Sequence, residues 1–213
     1  MGRSNQEAKR KPQSSPRPNR IAIRVRAGFH DGQNKRTTML YIVTPCSRPQ
    51  NLKRIKQYIP EWATWVVMMD ASTDFKEATG ANVTHYSKKT GHWGNPLRNE
   101  FLDLYQDQFT QDDWVYFLDD DNILHPKFNE QWSNLHNLDS SIVTWGQEGR
   151  LRPTDQPTIG NIDTASYMFK PYHLPKLRFE NIYEADGLFA SAAARQGTLI
   201  CVDSYLCYYN ALR

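Results

Sequence analysis

Apolar residues fall in short blocks along the chain, separated by polar stretches rich in glycine, proline or aspartate. Thr38–Thr44 (TMLYIVT), Trp65–Met69 (WVVMM) and Trp114–Leu118 (WVYFL) are continuous apolar runs, the pattern of strands buried on both faces. Asn82–Tyr86 and Ser141–Trp145 read as further strands, and Ala165–Phe169 and Leu199–Tyr205 as short ones. Between them the period lengthens. Gln50–Tyr58 places Leu52, Ile55 and Tyr58 on one helical face, and Pro96–Gln106 carries Pro96 in its first turn. Pro126–Leu135 and Glu184–Arg195 are predicted helices as well, and no internal repeat is present. Strands alternating with helices predict an α/β fold: a mostly parallel, twisted sheet flanked by helices in a single domain. Ligands of such sheets bind beyond the carboxyl ends of the strands. Three runs end in polar clusters there: Thr44-Pro45, Asp70-Ala71-Ser72 and Asp119-Asp120-Asp121.

Charge divides the chain. The sequence holds 26 Lys/Arg and 23 Asp/Glu. Residues 1–38 hold ten of these bases and two of the acids (Glu7, Asp31), which leaves sixteen bases and twenty-one acids, a balance of −5, for the remainder. The expected organisation is therefore a basic, disordered N-terminal segment over 1–36 and one domain over 37–213. Residues 1–20 lack large apolar side chains and cannot offset their ordering entropy by burial, whereas Ile21–Arg26 alternates as a short strand would. An acidic body argues against nucleic-acid binding by the folded part. At 213 residues the chain can bury about 70% of its unfolded surface without staples. Its three scattered cysteines fit neither a disulfide framework nor a zinc site. No run of about 18 apolar residues and no apolar leader occur, so the expectation is a cytoplasmic protein with no membrane span. The oligomeric state is not legible.

The chemistry lies in WVYFLDDDNILHPKF, where an apolar strand delivers three consecutive carboxylates to the sheet edge. Such crowding calls for a counter-charge. Mg²⁺ or Mn²⁺ is the expected one, since these ions use one or two carboxylates and complete their shell with phosphate oxygens and water.

With these residues in view the chain resembles nucleotide-sugar glycosyltransferases of the GT-A (Rossmann-like) fold, over roughly residues 38–200. The opening Tyr41-Ile42-Val43-Thr44-Pro45 with Arg48-Pro49 resembles that family's first strand and loop, and Val115–Asn122 its D-x-D motif. The likeness is to inverting glucuronyltransferases with a D-D-D-N strand end, in the form of a soluble bacterial or large-virus member. It implies a UDP-sugar donor, a glycan acceptor and a Mn²⁺ or Mg²⁺ cofactor. Residue by residue, it implies that Asp121, with Asp119, binds metal. Asp119 and Asp120 would reach the ribose and donor sugar. Thr44, Pro45, Arg48 and Asp70 would line the nucleotide pocket. Arg98 and Asn99 would approach the donor sugar and diphosphate, and Trp145, Gly146 and Asp163 the acceptor side. Where the family has a diphosphate-contacting histidine this chain reads Tyr208-Tyr209-Asn210, so Arg98, Lys88, Lys89 or Arg150 is expected at the diphosphate.

An inverting transfer needs a carboxylate base for the acceptor hydroxyl. Tyr183-Glu184-Ala185-Asp186-Gly187, at a predicted helix start, supplies two candidates, Asp186 ahead of Glu184, with Asp163 next in line. Trp93, in Gly91-His92-Trp93-Gly94, is either a sugar-stacking ring or a loop anchor. Cys46 reads as packing, and His85, His92 and His125 as surface or loop residues. Two rivals share the fold: a nucleotidyltransferase, disfavoured by the glycine-free loop TPCSRPQ, and a non-catalytic nucleotide- or carbohydrate-binding module.

Overall fold

The computed structural model describes residues 37–75 and 79–213. The N-terminal segment over 1–36, including the strand expected at Ile21–Arg26, lies outside them.

β1 (Leu40–Cys46), β2 (Thr64–Met69), β3 (Val83–Tyr86) and β4 (Trp114–Phe117) form the parallel half of an eight-stranded sheet. β5 (Ile123–Leu124), β6 (Ile142–Glu148), β7 (Tyr167–Phe169) and β8 (Leu199–Tyr208) form the mixed half, and the order is β3-β2-β1-β4-β7-β6-β8-β5. The sheet is thus parallel through β4 and between β6 and β8, and antiparallel where β7 meets β4 and β6 and where β5 meets β8. The fold is α/β in a single domain, with helices on both faces.

Each continuous apolar run feeds two cores because successive side chains point to opposite faces. Leu40 and Ile42 of β1, Trp65 and Val67 of β2, and Trp114 and Tyr116 of β4 pack with α1 (Leu52–Ile55) and α3 (Pro126–Leu135). Tyr41, Val43, Val66, Met68, Val115 and Phe117 pack on the other face against α2 (Asn95–Tyr105) and α4 (Ala185–Gln196). α1 is shorter than its pattern predicts: 3₁₀ turns flank it over 49–51 and 56–58, and Tyr58 stays exposed while Leu52 and Ile55 are buried. β5 is a two-residue strand that no periodicity could announce.

The crossover from β1 goes outward to β2 and β3 and returns to β4 on the other side of β1. The loops after β1 and β4 therefore diverge at a crevice between adjacent strand ends, the place where open α/β sheets bind ligands.

Candidate functional site

A cleft of about 480 Å³ opens at that crevice. The loop after β1 contributes Pro45, Ser47 and Arg48. The turn after β4 contributes Asp119, Asp120 and Asp121, and the start of α2 contributes Arg98. Asp163 and Arg150 come from the segments between β6 and β7, and Glu184 and Asp186 from the start of α4. Asp70 lies at the rim below β2. The chain thus brings together most of the residues singled out from the sequence, although they span some 140 positions.

The three aspartates have separate surroundings. Asp120 is 2% exposed and accepts from the Ser47 and Arg48 backbone amides (both 2.7 Å), the Ser47 hydroxyl (3.1 Å) and the Arg48 guanidinium (Nε, 2.8 Å). It ties the loop after β1 to the turn after β4. Both of its carboxylate oxygens, expected near ribose or sugar, are engaged by the protein in this structure. Asp121 Oδ2 pairs with Arg213 Nε at 2.7 Å and Arg48 Nη2 at 3.0 Å, while its carbonyl accepts from the Leu212 amide at 3.1 Å. Asp119 pairs with Arg98 through Nη2 and accepts from the Thr164 hydroxyl at 3.3 Å. Arg48, Arg98 and Arg213 thus supply counter-charge to the carboxylate triplet for which the sequence pattern predicts a metal. Arg213, paired across 92 positions, gave no signal in the sequence.

Arg98 is the electrostatic hub. It is 2% exposed, donates to the Trp93 carbonyl (2.8 Å) and Asn95 Oδ1 (2.6 Å), and lies 5.5 Å from the Phe179 ring centroid. Its Nε has no partner among the described atoms. A buried guanidinium is costly unless matched by anions, and Asp119 and Asp186 are its charge partners. Those partners are in turn shifted. Burial, opposed by Arg98 and reinforced by Asp163 and Asp119, pushes the Asp186 carboxyl up to about 7. Burial likewise pushes Asp119 up to about 6, again against the pull of Arg98. Several carboxylates sharing one buried cation cannot all ionise easily. Asp186 is therefore a carboxyl poised near neutral pH on the same cleft as Asp119 and Asp121. Glu184 is exposed on that cleft and makes no capping bond to α4, although it holds the cap position.

Other residues are relocated. Thr44 is buried, its hydroxyl accepting from Trp65 Nε1 at 3.0 Å. The Asn99 side chain clips the Phe179 backbone in both directions at 2.8 Å and so holds the segment before α4. Trp145 is core, bonded through Nε1 to the Ala165 carbonyl, and Gly146 packs under Tyr205 and Pro153. None of these four lines the cleft. Lys88 and Lys89 are exposed outside it as well. Asp70 Oδ1 accepts from the Ser72 amide and hydroxyl and the Thr90 hydroxyl, and Oδ2 from the Gly91 amide at 3.1 Å. Burial alone would raise its pKa, but the bonds from Ser72 and Thr90 leave it lowered. Its carboxylate thus holds a loop knot at the edge of the cleft it lines. Cys46 is buried, and burial pushes its thiol up to about 12, which removes it as a nucleophile. His125 caps α3 by accepting from the Lys127 amide, and His85 contacts Glu100. Arg150 pairs with Asp163 and lies over the Tyr209 ring, 4.5 Å from its centroid.

Among the described residues no group of three or more His, Cys, Asp and Glu side chains is arranged to hold a metal ion. The donors present are Asp121 and Asp119, hard oxygen ligands for an ion that takes its remaining ligands from phosphate and water. Both are hard oxygen donors, and both are paired with arginines here. Among the described residues no helix is long and apolar enough to cross a membrane.

No protein-family model matches the chain, and no curated protein does. Among solved structures it is similar to one described as the crystal structure of 4-diphosphocytidyl-2C-methyl-D-erythritol synthase, at 12% identity and a TM-score of 0.46, over 76% of this chain and 85% of that one.

Proposed function

We propose that the cleft transfers a sugar from a nucleotide-diphosphate sugar, a UDP-sugar in the simplest case, to a carbohydrate hydroxyl with inversion. The observation that supports this most is the pairing of roles across one cavity. A carboxyl held near neutral pH, Asp186, lines the same cleft as acids and arginines suited to a diphosphate. The base must lie opposite the leaving group for inversion, the same geometric logic that governs glycosidases.

Arg48, Arg150 and Arg213 are the cations that would meet the diphosphate oxygens, with the buried Arg98 adding positive charge behind them. Arg is the side chain whose fork of N–H donors matches phosphate. Asp121 and Asp119 would hold a divalent cation, which when bound neutralises charge on the leaving diphosphate. The buried Arg98 pulls the Asp186 carboxyl down against the rise that burial imposes, which favours the form that can accept a proton. Asp186 would then accept the proton of the attacking hydroxyl, and Asp163, turned by Arg150, would border the acceptor side.

Nucleotidyl transfer is the second reading. The four arginines offer enough positive charge for a triphosphate as readily as for a diphosphate. A single assay separates the two. The protein is incubated with Mn²⁺ and a panel of nucleotide sugars plus oligosaccharides, or with nucleoside triphosphates plus sugar phosphates. Release of nucleoside diphosphate from the first set is expected. Pyrophosphate release from the second set would overturn the glycosyl reading in favour of nucleotidyl transfer. UDP is also expected to raise the melting temperature more with Mn²⁺ than with EDTA. Asp121→Ala should remove that difference, and equal stabilisation of the wild type in both conditions would exclude metal-assisted donor binding.

A further inference from the structure

Two aromatic side chains stand open at the mouth of the cleft. Trp93 is 60% exposed and Tyr183 is 64% exposed, and their rings meet edge to face with centroids 5.6 Å apart and planes 74° apart. Unlike the other exposed rings among the described residues, these two line the cleft that carries the charged groups, where their open faces are available to a ligand.

The backbone under Trp93 is held in an uncommon state. His92 (φ 49°) and Trp93 (φ 53°) both lie in the left-handed region between Gly91 and Gly94, which have φ of 72° and 82°. L side chains seldom adopt it, and such strain persists where the surroundings over-determine it. The surroundings here do so. The Gly91 amide is bonded to Asp70, and the Trp93 carbonyl accepts from Arg98. Asn95, 1% exposed, donates to the Glu180 and Ile182 carbonyls at 3.0 Å and accepts from the same Arg98. One buried pair, Asn95 and Arg98, thus fixes both aromatic residues to each other.

We propose that the Trp93–Tyr183 corner is a subsite for a pyranose ring of the carbohydrate acceptor. The assignment of that ring as the acceptor rests on the transferase reading; its binding at the corner does not. Perpendicular rings form a notch, not a parallel slot for a planar base. A pyranose can lay its C–H face on one ring while its edge hydroxyls turn away. Tyr183 directly precedes Glu184, and Asp186 follows on the same cleft, so carboxyl groups able to accept hydrogen bonds from sugar hydroxyls follow the notch in the chain.

The test is saturation-transfer NMR on the full chain with lactose, cellobiose, maltose, chitobiose and UDP as separate probes, for the wild type, Trp93→Ala and Tyr183→Ala. Both rings are exposed, and circular dichroism verifies that each variant is folded. At least one disaccharide is expected to receive saturation on its ring C–H hydrogens, and each substitution should weaken that binding about tenfold, the scale of one aromatic contact. UDP binding should be unchanged in both variants. Sugar binding that survives both substitutions, or no binding of any disaccharide to the wild type, overturns the proposal. So does loss of the uracil signal in Trp93→Ala, which would place a base on the ring. Sugar bound at the corner by a wild type that ignores UDP would sink the transferase reading and leave the subsite standing.

Discussion

Asp120 accepts from two backbone amides, a hydroxyl and a guanidinium, so its loss should appear as loss of stability. Asp120→Ala is expected to cost about 3 kcal/mol in urea unfolding, at the low end for breaking a buried pair because the Arg48 side chain is 35% exposed. An unchanged midpoint with lost nucleotide binding would make Asp120 a ligand after all. Asp186 yields a prediction that needs no substrate. Burial raises its folded pKa from the ordinary 3.8 to about 7, so the folded state favours the protonated form. That contribution is complete below pH 4 and is lost as pH rises through 7. In EDTA, Asp186→Asn should therefore be more stable than the wild type at pH 8, and the advantage should vanish toward pH 4. A pH-independent difference would mean that Asp186 is not shifted. The sequence revealed these residues unevenly. Asp119–Asp121 and Asp186 were visible because strand ends and helix starts declare themselves locally. That Asp120 and Asp70 are consumed by neighbours, and that Arg213 meets Asp121, depends on contacts between distant segments that no local pattern encodes.

The elements were the most legible level, since each apolar run on the parallel sheet has to satisfy two cores at once. What the pattern could not show is how elements touch. The Asn99 clip on Phe179 is one such contact. Asn99→Ala should cost about 1–3 kcal/mol, the penalty for stranding buried polar groups, while UDP and sugar binding persist in the folded fraction. Loss of binding without loss of stability would restore Asn99 to the donor site. Gly187 is another: a Cβ there would lie 2.6 Å from the Ile159 Cα and 2.7 Å from its nitrogen, both backbone atoms that cannot swing aside. Gly187→Ala should destabilise by about 1–3 kcal/mol. It should also disturb the cleft, because Ile159, Gly160 and Asp186 all line it. A neutral Gly187→Ala in thermal unfolding would mean that α4 sits further from the 158–160 loop than the backbone positions indicate.

For the whole molecule, the order β3-β2-β1-β4 turns three distant polar clusters into one crevice, and Asp121 and Asp186 both line the cleft there. The strand-helix alternation was enough to expect this edge. The antiparallel insertion of β7 between β4 and β6 was not, because pairing direction across a long connection leaves no periodic trace. Residues 1–20 carry no core-forming side chains, so their removal should change stability by less than about 0.5 kcal/mol. The central claim is that Asp186 is the base for sugar transfer in this cleft. It is tested most directly by following transfer from the active UDP-sugar to the active oligosaccharide with Asp186→Asn beside the wild type, using NMR of the product's anomeric centre. The wild type is expected to yield the inverted anomer. Asp186→Asn is expected to bind UDP and Mn²⁺ normally while transferring about 10²–10⁴-fold more slowly. Near-normal transfer by Asp186→Asn, or a product that retains the donor's configuration, would contradict the account.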